Sequence, residues 1–241
     1  MDALLELLLD NQIIILGGAV GAFFGLLLSY RHVGKIIQML RTSTGEIASL
    51  PSDEQVEIVG TAEGDRVLQS PITKTPCVLW QVVVSERRSS GRSSHWIVVH
   101  SSTSDAPFDV SDGTGRVRVH PGRAVELILR DDVKKSSGLF TSLDEETQAT
   151  LSGLGVNTKG FLNMNRSLRV QERYIQQGDQ VYLLGKTFSK TGTRVMDGDD
   201  SALIVSDQSE LRLLGKFSWQ VIVNIMIGVI VGVALSFYFS N

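Results

Sequence analysis

The sequence predicts a mainly β protein: an antiparallel β-sandwich or small barrel with one or two short helices, flanked by two transmembrane helices. Three observations lead to this prediction. Two runs without a charged residue lie at 13–29 and 219–239. Between them, about eight short segments alternate apolar with polar residues. Clusters of Gly, Asp and Ser separate these segments, as turns require.

The two uncharged runs have the length of membrane spans. The run "IIILGGAVGAFFGLLLS" would make roughly 26 Å of helix and "WQVIVNIMIGVIVGVALSFYF" roughly 31 Å, against a hydrocarbon core of about 30 Å. A cleaved signal peptide is the alternative for the first run, and a buried helix for the second. Asp2, Glu6 and Asp10 precede the first run where a signal peptide has basic residues, so we expect it to remain as an anchor.

Positive charge predicts the orientation of both spans. Arg31, Lys35 and Arg41 follow the first run, and Arg212 and Lys216 precede the second. Because Lys and Arg are enriched on the cytoplasmic side of membrane helices, we expect the central region to be cytoplasmic and both termini to lie outside.

These patterns divide the chain into six predicted segments. They are a short N-terminal segment (1–12), a first transmembrane helix (13–30), a basic juxtamembrane helix or linker (31–50), a β-domain (51–206), a connecting helix (207–217) and a second transmembrane helix (218–240).

Within the β-domain, the clearest strand patterns are "QVEIVGTA" (55–62), "CVLWQVVVSE" (77–86), "SHWIVVHS" (94–101), "GRVRVHP" (115–121) and "AVELILR" (124–130). The stretch 142–155 predicts a short surface helix, with Ser142 and Glu145 at capping-box spacing and Gly153 and Gly155 at its end. The serine- and arginine-rich stretch 87–94 reads as a solvated hairpin tip, with a phosphate- or partner-binding loop as the alternative.

Cysteine, histidine and charge content exclude several classes of function. Cys77 is the only cysteine, and the four histidines (32, 95, 100 and 120) are scattered, so the sequence offers no metal site. A net charge of −3 gives no electrostatic reason to expect nucleic acid. The basic residues at 31–41 are better explained by contact with anionic lipid headgroups. We expect no cofactor and no catalytic residue.

Cys77 with His95, His100 or His120 is a candidate nucleophile and base, and a hydrolase that uses Ser or Cys with His is a third class of function. Cys77 stands between Pro76 and Val78 at the head of an apolar strand, without basic neighbours that would lower its pKa, so we expect a buried and inert thiol. His95 and His100 are five residues apart on one predicted strand, which predicts side chains on opposite faces and no shared metal.

Small residues recur every fourth position in both uncharged runs. The helix-packing candidates are Gly17, Gly21, Gly25, Gly228, Gly232 and Ser236. This spacing lets helix backbones approach closely, either within one chain or between copies in a homo-oligomer. Asn224, a polar residue inside the second run, is expected to face a helix and not lipid.

Five motifs in order resemble the GIDE domain, also called the beside-a-membrane domain, of mitochondrial and plastid RING-type E3 ubiquitin ligases. They are "VEIVGTA", "SPITKTPCVLWQVVVSE", "PFDVSDGTGRVRVHP", "VQERYIQQGDQVYLLG" and "ALIVSDQSE". The matching positions are Gly60, Ser70, Pro71, Cys77, Pro107, Phe108, Asp112, Val119, Pro121, Glu172, Gly178, Asp179, Tyr182, Gly185 and Ser206.

The resemblance implies a domain held between two membrane helices. Eukaryotic members carry a zinc-binding RING finger after the second helix, and this sequence lacks the cysteines that such a module needs. We therefore expect a prokaryotic-type member in a plasma membrane, acting as a non-catalytic binding or scaffolding module for a protein partner or lipid. The alternative is an E3 ligase-related factor that supports ubiquitin-like modification with a RING supplied in trans. The sequence identifies no binding residue.

Overall fold

The computed structural model describes residues 12–91, 93–123, 125–138, 141–160, 164–190 and 192–240. It divides into a helical unit, Met1–Ser43 with Ser209–Asn241, and a β-unit, Thr44–Gln208. Apart from Gln12, the predicted N-terminal segment 1–12 lies outside the described residues. The described α-helices are α1 (Gln12–Leu28), α2 (Tyr30–Arg41), α3 (Glu145–Gly153) and α4 (Glu210–Ser240).

The described strands are β1 (Gln55–Glu63), β2 (Leu68–Gln69), β3 (Pro76–Cys77), β4 (Leu79–Ser90), β5 (Ser93–Thr103), β6 (Phe108–Ser111), β7 (Arg116–His120), β8 (Val125–Ile128), β9 (Val133–Ser136), β10 (Leu168–Ile175), β11 (Gln180–Lys186), β12 (Phe188–Lys190), β13 (Thr193–Asp197) and β14 (Leu203–Ser206).

In the helical unit, α4 is long and apolar enough to cross a membrane over Glu210–Tyr238. The helix runs unbroken from Glu210 to Ser240, where the sequence predicts a connecting helix (207–217) followed by a separate span (218–240). No proline occurs in 210–240, so no residue forces a break between the polar first turns and the apolar remainder.

The first predicted span has a different geometry. α1 and α2 pass the same length and composition test only as a pair, and they are bent by 62° at the break between them. Ser29 lies at this break, and its hydroxyl donates to the carbonyl oxygen of Gly25 (2.9 Å). The described residues therefore contain one clear span candidate, or two if the bent pair counts as one span.

The β-unit contains three sheets. Eight strands form the largest, in the order β12-β13-β7-β6-β1-β11-β14-β8. Four strands form a second sheet, β5-β4-β10-β9, and β2 pairs with β3 in a small third one. The mainly β prediction is confirmed for the described residues.

The predicted antiparallel architecture is partly wrong, because two pairs of strands run parallel. β13 runs parallel to β7, and β14 runs parallel to β8, while the other paired strands are antiparallel. Only tightly connected strands must run antiparallel. β13 and β14 follow their partners in sequence by long connections, so nothing in their alternating pattern fixes direction.

Two hydrophobic clusters stabilise the β-unit. The larger one combines residues of the eight-stranded sheet, such as Ile58 and Leu183, with Leu79 and Ile175 of the four-stranded sheet. The smaller cluster covers the other end of the four-stranded sheet, where its strands pack with Leu151 of α3. The two sheets therefore share one core, while α3 covers the part of the smaller sheet that extends beyond it.

The N-terminal cap of α3 differs from the cap that the sequence predicts. The cap is Asp144, whose carboxylate accepts a hydrogen bond from the Thr147 amide (2.8 Å), and not Ser142 with Glu145. Lys135 also donates to this carboxylate (2.8 Å) and lowers the pKa of Asp144 below its usual range. An ionised side chain with two donors is a better cap than an exposed serine. Gly155, with φ of 76°, ends the helix as predicted.

A short segment before β1 is also part of the β-unit. Thr44 forms a bridge with Glu57, and a 3₁₀ helix follows at Ile47–Ser49. The Asp112 carboxylate accepts from the Ile47 amide (2.7 Å), and the Arg194 guanidinium donates to carbonyl oxygens of this segment, including that of Ala48 (2.9 Å). The unit thus begins before the predicted boundary at residue 51.

Candidate interaction surface

A long hairpin, β4–β5, forms the outer part of the four-stranded sheet. Its ladder extends to the pair Ser90 and Ser93. The described residues of the predicted solvated tip over 87–94 are exposed, as expected, but most of them continue the two strands. Gly91, with φ of 58°, supplies the left-handed conformation that a two-residue hairpin turn needs, and the neighbouring serines and arginines continue the strands.

β5 lies at the edge of its sheet and pairs only with β4 among the described strands. Three large apolar side chains on this strand are exposed: Trp96 (39%), Val98 (58%) and Val99 (37%). Edge strands usually carry charges or prolines that discourage pairing with other chains. β5 has neither over its 11 residues. An exposed apolar strand without such protection is typical of a surface that meets a partner.

Arginines lie beside these apolar residues. The Arg169 guanidinium stacks 4.2 Å from the centre of the Trp96 ring, and Arg87 donates two hydrogen bonds to the Ser94 hydroxyl (3.0 and 2.8 Å). Trp96 pairs with Arg87 across the ladder, and Val98 pairs with Ser85, which in turn pairs with Arg169. Paired residues share a face, so these side chains form one surface. We call Arg87, Trp96, Val98 and Arg169 the β5 patch.

The positive character of this edge extends to the opposite face of the hairpin. Glu86 is held between Arg88 (3.2 Å) and Arg166 (2.6 Å), so one carboxylate faces two guanidinium groups. Within the described part of the chain, Arg87 and Arg169 form no ion pair with a carboxylate, and they contact the Ser94 hydroxyl and the Trp96 ring instead. The edge of the sheet therefore carries a net positive charge.

The sequence did not identify the β5 patch, because its members come from three strands, and α3 separates β10 from β4 and β5 along the chain. The sequence feature that could have indicated the patch is the strand "SSHWIVVHSST", which has no Asp, Glu, Lys or Arg and follows a basic stretch. Alternation suggests a half-buried strand there, and only the sheet order reveals that the strand lies at an edge.

The prediction that His95 and His100 lie on opposite faces of the strand is wrong. His95 pairs with Arg88 and His100 with Val84, which are four residues apart on β4 and so share a face. A bulge between Val84 and Ser85 adds one residue to β5 and reverses the alternation. The two imidazoles are still about 13 Å apart along the strand, too far to share a metal. No group of three or more candidate ligands occurs among the described residues.

A buried carboxylate organises the loop that precedes β3. Glu172 is 1% exposed and accepts hydrogen bonds from the amides of Ile72 (2.6 Å) and Thr73 (3.1 Å) and from the hydroxyls of Ser70 (3.1 Å) and Thr73 (2.5 Å). Lys74 adopts a left-handed conformation (φ of 57°) within this loop. Ser70 and Glu172, two positions of the resemblance, are thus brought together as a structural contact.

Cys77 is buried next to this network, as the sequence predicts. Burial and, to a smaller extent, the negative charge of Glu172 raise the pKa of its thiol to about 11. Because the thiolate is the nucleophilic form, this environment keeps the sulfur unreactive at neutral pH.

The helix-packing candidates lie where α1 and α4 contact each other. An added Cβ on Gly17 would lie 2.7 Å from the carbonyl oxygen of Gly232, and one on Gly25 would lie 2.7 Å from the Cα of Ile225. Gly21 and Gly228 are likewise opposite each other, and the Ser236 side chain faces Gly17. Asn224 donates to the Ser29 hydroxyl (3.0 Å), which confirms that it faces a helix. The contact leaves no room for larger residues at these glycines.

A sequence model of the GIDE family, described as an E3 ubiquitin ligase, matches residues 81–237. The chain belongs to the GIDE family. The match covers the β5 patch, Glu172 and most of α4, while Gly60, Ser70, Pro71 and Cys77 precede it. No curated protein and no solved structure matches this GIDE-family chain.

Proposed function

We propose that this GIDE-family protein is a membrane-anchored, non-catalytic binding module for another protein. α4 and the α1–α2 pair act as two anchors, and the β-unit is cytoplasmic. The observation that carries the proposal is the β5 patch, where the exposed Trp96 and Val98 lie on an edge strand beside arginines. An apolar strand of this kind, on a domain tied to a membrane helix, is suited to recruit a partner to the bilayer.

Site-specific crosslinking in native membranes tests this role. Photoreactive benzoylphenylalanine replaces Trp96 in the full-length protein, and a matched control replaces Glu146, an exposed residue of α3. We expect a discrete protein adduct from position 96 and none from position 146. Equal adducts at both positions, or none at either, would contradict a specific binding surface.

A separate measurement addresses catalysis. The purified full-length protein is treated with activity-based probes for serine and cysteine hydrolases, and we expect no labelling. Labelling that disappears with Cys77→Ala would overturn the non-catalytic role, because the buried, protonated thiol could not then be the resting state of that residue.

The predicted orientation has its own test. Arg87 and Arg88 flank the exposed hairpin turn and offer cleavage sites for trypsin. We expect cleavage in inverted vesicles and protection in right-side-out vesicles. The reverse pattern would place the β-unit outside the cell and refute the orientation derived from Lys and Arg distribution.

A ligase-related role is the second candidate, and the family description as an E3 ubiquitin ligase favours it. Residues 1–241 contain one cysteine and therefore do not hold the zinc ligands of a RING, so this role uses a RING supplied in trans. Crosslinked membranes are solubilised, the protein is purified, and recovered proteins are quantified by mass spectrometry. Recovery of a conjugating enzyme or a ubiquitin-like protein is expected under this role, and recovery of neither contradicts it.

A further inference from the structure

We infer that β5 binds an extended, acidic segment of a partner protein, which adds to the sheet as a further strand. This inference rests on the proposed binding function and specifies its site and the chemistry of its partner. Three features carry it: the unpaired edge of β5, the composition of that strand, and the charge around it.

The first feature is the backbone of β5. β5 has one neighbour in the described part of the chain, so the N–H and C=O groups on its outer side have no strand to pair with. From Ser93 to Val98 the ladder with β4 is regular, and the bulge comes only after Val98. A regular edge of this length can form the main-chain hydrogen bonds by which peptides are recognised through strand addition.

The second feature is the side chains on this edge. Trp96 and Val98 lie on one face and are exposed by 39% and 58%. An added strand would place its alternate residues beside them, about 4.8 Å away, close enough for apolar contact. β-branched residues at those positions would cover the exposed ring and the valine.

The third feature is electrostatic and selects the partner. Arg87 and Arg169 are on the face of Trp96, while Arg88 and Arg166 on the other face share the one carboxylate of Glu86. A second copy of β5 would bring two sets of arginines together, which is unfavourable. A strand that carries Asp or Glu beside its apolar residues would instead pair with them.

Peptide selection on the full-length protein in nanodiscs of zwitterionic lipid tests the inference. The probe is a displayed library of random octapeptides. We expect Asp and Glu to be enriched in the selected peptides, and we expect the charge-reversed variant R87E/R169E to select Lys and Arg instead. The matched control R123E changes a fully exposed arginine in the turn between β7 and β8 and should select the same peptides as the parent protein.

The most enriched peptide then separates strand addition from simple charge attraction. It is synthesised with N-methyl groups on one or the other set of alternate residues, each of which blocks one edge of the peptide. We expect one set to abolish binding and the other to be tolerated, since a strand pairs through one edge. Trp96→Ala and Val98→Lys should each weaken binding by about tenfold or more.

Several results would overturn the inference. These are selection without acidic enrichment, equal tolerance of both N-methylated peptides, displacement of the peptide by phosphatidylglycerol vesicles, and a self-crosslink from position 96 that identifies a second copy as the occupant. Protection of Cys77 from maleimide verifies that each variant is folded. If selection fails while position 96 still crosslinks to a protein in native membranes, the acidic strand is refuted and the binding function stands. If neither succeeds, both are refuted.

Discussion

Replacement of Glu172 by alanine should open the loop that precedes Cys77. The substitution removes the acceptor of two backbone amides, Ile72 and Thr73, while the hydroxyls of Ser70 and Thr73 keep each other as partners (2.9 Å). An orphaned buried donor costs about 1–3 kcal/mol, which gives about 2–6 kcal/mol for the pair. Removal of a buried charge also removes its desolvation cost, so we expect a net loss of about 3 kcal/mol.

The lone cysteine makes this loss measurable in the intact membrane protein. Cys77 is 1% exposed, and the high pKa of its thiol prevents labelling unless the loop opens. A loss of about 3 kcal/mol corresponds to about 150-fold faster maleimide labelling when closing is faster than reaction. The control Glu146→Ala removes an exposed carboxylate and should label like the parent. If Glu172→Ala labels less than about threefold faster, the carboxylate does not hold the loop and the reasoning fails.

Three further predictions concern other parts of the molecule. Gly228→Leu should destabilise the helical unit by about 1–3 kcal/mol, as measured by unfolding in detergent, because the contact leaves no room for a larger side chain. The control Gly215→Leu adds a side chain where the space is open and should not destabilise the unit. Equal effects of the two substitutions would contradict close helix packing. Burial acts to raise the pKa of Asp112, but hydrogen bonds from Ile47, Thr114 and Gly115 lower it to about 2. Its stabilising effect should therefore be complete above about pH 4 and decline as the pH falls towards about 2, contributing about 1 kcal/mol after solvent screening. Asp112→Asn should flatten this part of a stability-versus-pH curve, and an unchanged curve would refute the assignment. Asp144→Ala should cost about 1 kcal/mol through loss of the α3 cap in thermal unfolding, and no loss would show that the cap is not stabilising.

Local sequence patterns predicted those elements well that depend on residues close together in the chain. The alternation of apolar and polar residues placed strands at 55–62 and 94–101, close to β1 and β5. Gly155 marked the end of α3 because its positive φ is a local property. The bulge after Val98 and the parallel direction of β14 were not predictable, because both depend on which strand becomes the neighbour.

The same distinction applies to the candidate site. Burial of Cys77 followed from its apolar neighbours in sequence. The contact of Glu172 with Ile72 joins residues 100 positions apart, and the stacking of Arg169 on Trp96 joins two strands that are not adjacent. No periodicity encodes such pairs. The contact of Arg169 with Trp96 spans β4, which lies between β5 and β10 in the sheet.

The bridge between Thr44 and Glu57 places the beginning of the β-unit close to its end. Glu57 pairs with Leu184, and Leu184 pairs with Ile204 near the end of the unit. Thr44, at the beginning of this unit, and Ile204, four residues before its end, are therefore about three strand spacings apart, or roughly 14 Å. A domain with such neighbouring ends can be inserted by recombination into the loop of an existing protein without separating the flanking segments. This geometry offers a simple evolutionary route by which one β-unit could be inserted into different host proteins.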